Sequence, residues 1–211
     1  MKKYWKALLV SIVVILLPIV ASAVLWNQIP NQVATHFDMN WQADGWSSKQ
    51  FALIGLPIIL VGVQLITAFF ILNDPKQKFT KLWIIYGTLG IVPLIALFVQ
   101  TLTIFYALGN QVTWLMKVTP EMLIGLVFIF CGMVLMAVPQ NYTVGIRLPW
   151  TLSSEQNWRQ TNRLGAKMFI GGGILLLFAG IISWSFLMLP IILVVIFIPT
   201  IYSFWLYRKG I

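Results

Sequence analysis

Apolar residues along this chain do not alternate with polar ones. They run on for about 20 positions at a time, without the two-residue period of a half-buried strand or the polar face of a surface helix. The runs are Ala7–Trp26, Phe51–Leu72, Leu82–Leu108, Pro120–Val138, Ala166–Phe186 and Leu187–Tyr207. Each is long enough for a helix to cross a hydrocarbon core, which takes about 20 residues. The last two abut and read as a tight hairpin, with Trp184 and Pro190 near the turn; taken as one span they would leave five. The pattern predicts an all-α fold, a polytopic helical membrane protein with six transmembrane helices.

Composition agrees. Hydrophobic residues make up 60% of the 211 positions and charged residues 9%, against about 25% charged in a soluble domain. A chain of this length has too much surface for its volume to hide so much apolar area in one water-soluble core. The formal charge of +9 therefore does not imply direct nucleic acid binding, because cations gather in the cytoplasmic loops of membrane proteins. The lone Cys131 lies inside an apolar run; it has no intrachain partner and reads as a small packing residue.

Charge also orients the spans. Of the 14 lysines and arginines, all but Lys49 and Lys117 fall on one side. Lys2, Lys3 and Lys6 precede span one, and Lys76, Lys78 and Lys81 follow span two. Arg147, Arg159, Arg163 and Lys167 lie between spans four and five, and Arg208 and Lys209 follow span six. The positive-inside rule predicts both termini in the cytoplasm. Lys2–Lys6 with Ala21-Ser22-Ala23 also resembles a signal peptide. The apolar run continues to Trp26, however, so the segment is expected to stay as a span; its removal would leave five spans in the same orientation.

The most polar stretch is the loop between spans four and five. Pro139–Pro149, with its prolines, glycine and asparagine, reads as an ordered turn. A helix is expected to start at Ser153, with Gln156 completing a capping box and Glu155 suited to the positive helix end. Arg159, Arg163 and Lys167 recur every fourth residue and form one basic stripe. This predicts an interfacial amphipathic helix in the fourth loop, its cations on anionic lipid headgroups and Trp158 at the interface. Asn141-Tyr142-Thr143 matches a glycosylation sequon, which has no meaning on the cytoplasmic side. Anchoring alone does not require a turn as specific as Gly145–Trp150.

That turn and the helix after it, "GIRLPWTLSSEQNWRQTNRLG", resemble the signature of the SdpI family. The matching residues are Asn141, Gly145, Ile146, Arg147, Pro149, Trp150, Thr151, Leu152, Trp158, Thr161, Arg163 and Gly165. Leu148 stands where a threonine is usual, and Ala166 where a second glycine often follows. The external segment "NQIPNQVATHFDMNWQADGWSSK" likewise resembles the N-terminal module that often accompanies the family. The resemblance divides the chain into a two-span module, residues 1–72, and a four-span module, residues 73–211. It implies an integral membrane immunity protein against a secreted peptide toxin. It also implies a signalling role in which a cytoplasmic transcriptional repressor is held at the membrane. Arg147, Trp150, Trp158 and Arg163 are the candidates for a cytoplasmic surface.

In the external loop the candidates are His36, Asp38, Trp41, Asp44, Gly45 and Trp46. One histidine and two aspartates make a thin metal-ligand set; the competing reading is a compact turn built around Asp44-Gly45, hydrogen-bonded within itself. Trp41 and Trp46 suit either a recognition surface or the membrane surface.

No ionisable residue falls near the middle of any span; Glu121 sits at a span end. Gln64, Gln100, Thr67, Thr101 and Thr103 are polar at depth, where interhelical hydrogen bonds are their ordinary use. Gly171-Gly172-Gly173 and Ala179-Gly180 permit close helix approach. Spans interrupted by proline leave room for broken helices. The chain lacks the paired carboxylates, nucleophile triad, zinc motif or phosphate-cradling loop of an enzyme, and no cofactor is implied. The alternatives to immunity are a small-molecule or lipid transporter, for which buried charges along a path are the usual mark, and a purely structural membrane protein.

Overall fold

The computed structural model of the chain describes residues 4–38, 42–75, 81–109 and 113–211, with backbone alone for 113–119. Lys2, Lys3, Trp41, Lys76 and Lys78 lie outside the described residues, as does the side chain of Lys117. Helix α1 (Trp5–Val24) leads to a hairpin of β1 (Gln32–Phe37) and β2 (Ala43–Ser48). A wide π-helical turn, Phe51–Gly55, opens α2 (Leu56–Leu72). Then follow α3 (Leu82–Ala107), α4 (Thr113–Ala137), the short α5 (Pro149–Ser153), α6 (Glu155–Ile181) and α7 (Met188–Arg208).

Six helical segments are long and apolar enough to cross a membrane, and the chain is a multi-pass membrane protein. Only 11–39% of each span is buried, so most of its apolar side chains face outward. In water that surface would cost about 25 cal/mol per Å²; lipid removes the penalty. Helices α1, α3 and α7 run unbroken through Pro18, Pro93 and Pro199, so the broken helices left open by the sequence do not form there. Pro190 stands in the first turn of α7, where a missing N–H costs no hydrogen bond.

Two elements differ from the sequence reading. The amphipathic segment is not a separate interfacial helix: it is the first three turns of α6, which continues without a break into the fifth span. Hydropathy marks only the lipid-facing part of a helix, whereas backbone hydrogen bonding continues into the polar part. The second difference is the hairpin, which pairs Val33 with Ser47 and Ala34 with Trp46. Asp44-Gly45 does not form the turn. The chain reverses between Phe37 and Ala43, and Gly45 lies within β2 opposite His36. A Cβ at Gly45 would come within 2.8 Å of the His36 Cβ, so glycine is required there by close strand approach.

The chain forms two compact units. The first comprises Met1–Leu72 and Tyr86–Lys117, the second Asn73–Ile85 and Val118–Ile211. In the first, the Gln64 amide on α2 donates to Ser11 Oγ on α1 (2.9 Å) and to the Leu89 carbonyl on α3 (2.9 Å). One side chain thus ties three helices. The Gln100 amide donates to the Ala52 carbonyl in the π-helical turn (3.1 Å). Thr101 and Thr103 instead donate to carbonyls one turn back, Leu97 and Val99; their hydroxyls are too short to reach a neighbour. At the hairpin end, Ile29, Val33, Ala52, Leu53 and Ile104 form a buried cluster. The buried Lys49 ammonium donates to the carbonyls of Trp26 (2.9 Å) and Ile29 (2.8 Å) and lies over the Trp26 ring. It satisfies the carbonyls left over after α1 ends.

In the second unit, glycines let helices touch. A Cβ on Gly125 of α4 would come within 2.7 Å of the Gly173 carbonyl on α6, and one on Gly173 within 2.6 Å of the Gly125 carbonyl. Gly132 meets Ala166 and Ile170, and Gly172 meets Val195 of α7. Without a hydrophobic drive between helices in lipid, such contact is what holds them.

Hydrogen bonds also gather three segments at one end of this unit. Asp74 bonds the 142–143 backbone and hydroxyl, and Asn157 bonds the Ile211 carbonyl. These are the segments that the charge pattern places together in the cytoplasm. Cysteine accessibility checks the assignment in a Cys131→Ala background. In intact cells an impermeant thiol reagent is expected to label Gln32→Cys and to spare Gln156→Cys; the reverse pattern would invert the topology.

Candidate functional site

The Pro139–Pro149 turn must satisfy its backbone groups without a partner strand. Asn141 does most of this. Its amide donates to the carbonyls of Pro139 (2.8 Å) and Val144 (2.9 Å), and its Oδ1 accepts from the N–H groups of Thr143 (2.8 Å) and Val144 (2.7 Å). Every usual bond of the side chain is made inside the turn. From outside it, Asp74 accepts from the Tyr142 N–H (3.0 Å) and the Thr143 hydroxyl (2.6 Å).

Gly145 has φ +127°, and a Cβ there would strike Trp158 Cη2 at 2.5 Å. Any side chain is excluded twice, by backbone conformation and by the indole. Next in the chain, the Ile146 N–H donates to Asn162 Oδ1 (3.0 Å), while the Ile146 side chain covers Gly165. Trp158, Asn162 and Gly165, at i, i+4 and i+7, therefore make one face of α6 that receives the turn. Thr151, fully buried, accepts the Leu148 N–H (2.8 Å), and its hydroxyl lies 2.9 Å from the Ile146 carbonyl. Gln140 donates to the carbonyls of Thr151 and Leu152 at the end of α5.

A second face of α6 meets α7. Asn157 donates to the Ser203 carbonyl (3.1 Å) and accepts from the Thr161 hydroxyl (2.9 Å). Trp150 docks α5 on the same helix: its indole N–H donates to Ser203 Oγ (3.0 Å) and its ring stacks on Tyr207. The cap of α6 falls one residue later than expected. Ser153 donates back to the Trp150 carbonyl and closes α5, so Ser154 accepts the Asn157 N–H (3.1 Å).

The third face is free. Arg159 pairs with Glu155 in an exposed i,i+4 contact. Arg163 and Lys167 are exposed, and among the described residues neither has an acidic partner. Arg147 is exposed as well, with one guanidinium nitrogen donating to the Tyr142 carbonyl (2.7 Å). Pro149 is also exposed. The motif thus separates into side chains that build the loop (Asn141, Gly145, Trp150, Thr151, Trp158, Thr161, Gly165) and side chains that face outward (Arg147, Pro149, Arg163). Asp74, Gln140, Asn157, Asn162 and Ser203 belong to the builders and carry no sequence signal beyond being polar beside apolar runs.

On the hairpin, His36 Nδ1 bonds Asp44 Oδ1 in an exposed pair. Asp38 Oδ1 accepts from the Gln42 N–H (2.8 Å). No group of three histidine, cysteine or acidic residues that could hold a metal occurs among the described residues. Trp46 is 54% exposed, opposite Ala34 in the register.

Stability should divide along the same line. Gly145→Ala is expected to cost roughly 2–4 kcal/mol through strain and overlap with Trp158. Asn141→Ala, which strips partners from two carbonyls and two N–H groups, should cost roughly 1–3 kcal/mol. Arg147→Ala should cost less than about 0.5 kcal/mol. Thermal unfolding in detergent checks the order, and a loss for Arg147→Ala equal to that of Gly145→Ala would contradict it.

Residues 137–203 match the SdpI/YfhL protein family, and residues 13–61 match a domain of unknown function, DUF1648. The chain is 23% identical to the Immunity protein SdpI of Bacillus subtilis (strain 168) over 204 residues, which cover 95% of this chain and 96% of that protein. No solved structure matches the chain. The first match contains the interlocked turn, all of α6 and α7 as far as Ser203; with the second match and the end-to-end likeness, the chain is similar to the SdpI/YfhL protein family and to its accompanying N-terminal domain.

Proposed function

We propose that the protein is an integral membrane immunity protein that protects a cell against a secreted peptide toxin. The observation that carries this reading is the end-to-end likeness to a protein named for immunity. In this reading the segment between spans one and two, with His36, Trp41, Asp44 and Trp46, is the surface that meets the toxin outside. The loop between spans four and five is the inner surface, and it holds a transcriptional repressor at the membrane through Arg147, Pro149 and Arg163. What supports that division is the exposure of Arg147 and Pro149 on the loop and of Arg163 on the helix that receives it, while the other motif residues are committed to building the loop.

Expression in a toxin-sensitive bacterium, with survival measured against a panel of secreted peptides, tests the function. Protection against at least one peptide is expected; no gain in survival at verified membrane levels would sink the reading. Arg147→Lys keeps the charge but loses the planar fork that binds carboxylates and carbonyls in pairs. It is expected to reduce protection or repressor recruitment while leaving the melting temperature unchanged. Full activity would remove Arg147 from the surface.

One observation favours the transporter reading. Glu121 is 1% exposed on α4, and neither carboxylate oxygen has a hydrogen-bond partner among the described residues. Glu121 stands at the end of the Pro120–Ala137 span, and buried carboxylates in spanning helices commonly mark ion or substrate paths. Glu121→Gln separates the two readings. Under immunity it leaves survival within about twofold of wild type, because removing an unpaired charge takes away no contact. Under transport it abolishes uptake into proteoliposomes.

A further inference from the structure

The free face of α6 continues past its cations. Arg159, Arg163 and Lys167 are followed at the same four-residue spacing by Gly171 and Leu175, so the basic stripe runs into the membrane-spanning part of the helix. The three glycines there serve three ends. Gly172 packs on Val195 and Gly173 on Gly125, but a Cβ at Gly171 would meet nothing within 4 Å. The absent side chain leaves a groove of about 350 Å³ between α6 and α7, floored by Gly171 and walled by Leu175, Pro190, Ile191 and Val194. Its lining is apolar except at one end, where Lys167 stands.

Lys167 also lines a second, mixed groove of about 580 Å³, which holds Arg163, the Arg159–Glu155 pair, Gln140 and Trp158 beside the apolar end of α4. Trp158 is 3% exposed, and its indole N–H has no acceptor among the described residues. The two grooves share Lys167, which stands between a groove with three cations and one carboxylate and an apolar groove along a membrane helix. From Lys167 to Leu175 the helix rises roughly 12 Å.

We propose that these two grooves form a binding site for one anionic phospholipid. Its phosphate lies between Arg163 and Lys167, beside the Arg159–Glu155 pair, and one acyl chain lies in the groove over Gly171. Charge complementarity selects the headgroup, because Arg163 and Lys167 have no acidic partner among the described residues. The apolar continuation selects a lipid over a soluble anion. Lysine can keep its ammonium at headgroup level while its stem follows the apolar wall.

Native mass spectrometry of the purified full-length protein, titrated with phosphatidylglycerol or phosphatidylcholine, provides the test. Wild type is expected to bind phosphatidylglycerol at least about tenfold more tightly, given two unpaired cations near an anionic headgroup. The double variant Arg163→Gln, Lys167→Gln should lose that preference. Gly171→Leu fills the groove while keeping every charge, and should weaken phosphatidylglycerol binding several-fold with the melting temperature unchanged. Inorganic phosphate at millimolar concentration should not displace the lipid. Equal binding of the two lipids by wild type would overturn the proposal. So would Gly171→Leu binding like wild type, which would reduce the effect to headgroup attraction, or complete displacement by phosphate, which would make the site one for a free anion.

Discussion

Gly145 lies flat against the indole of Trp158, and the arrangement of the loop follows from that contact. A side chain at Gly145 would lift the turn off α6. Ile146 would then lose both its hydrogen bond to Asn162 and its seat over Gly165. With Ile146 displaced, Thr151 would lose a carbonyl partner. The bonds are individually ordinary, each worth about 1 kcal/mol net. They are interdependent, because the turn has no neighbouring strand to supply replacements, and this interdependence is what demands so specific a sequence.

The same reasoning separates construction from contact. In a soluble enzyme, unusual residues gathered in a loop commonly mark chemistry. Here most of them answer a membrane problem: a backbone that leaves a spanning helix must be fully satisfied close to lipid. Asn141 meets four backbone groups with one side chain. Lys49 does comparable work at the hairpin end of the first unit, closing the carbonyls of Trp26 and Ile29. What remains for partners is what the scaffold leaves outward.

The six spans were legible because bilayer thickness imposes a length on apolar runs, and Gln64 and Gln100 were legible as helix ties because an amide in lipid needs a partner. The motif residues were legible only through resemblance; nothing in their spacing tells a builder such as Thr151 from an outward side chain such as Arg147. The start of α6 was missed because hydropathy falls where the helix leaves lipid, although the backbone continues. The hairpin was missed because its strands are short and mixed: Val33 and Ala34 are buried, but the facing segment carries Asp44, Gly45 and two serines. Asp74 gave no sign, since its role depends on a turn nearly seventy positions away.

The unbroken course of α6 has a mechanical consequence. At 1.5 Å per residue, its 27 residues measure roughly 40 Å, against about 30 Å of hydrocarbon. About 10 Å of the same rod therefore stands clear of the lipid, and the turn is clamped across the base of that projecting length, by Gly145 at Trp158 and by Ile146 one to two turns further on at Asn162 and Gly165. A tilt or axial rotation of the span carries the clamped turn with it, like a handle fixed to a shaft. Arg147 and Arg163 then report the attitude of the helix within the bilayer without any hinge between them and the membrane.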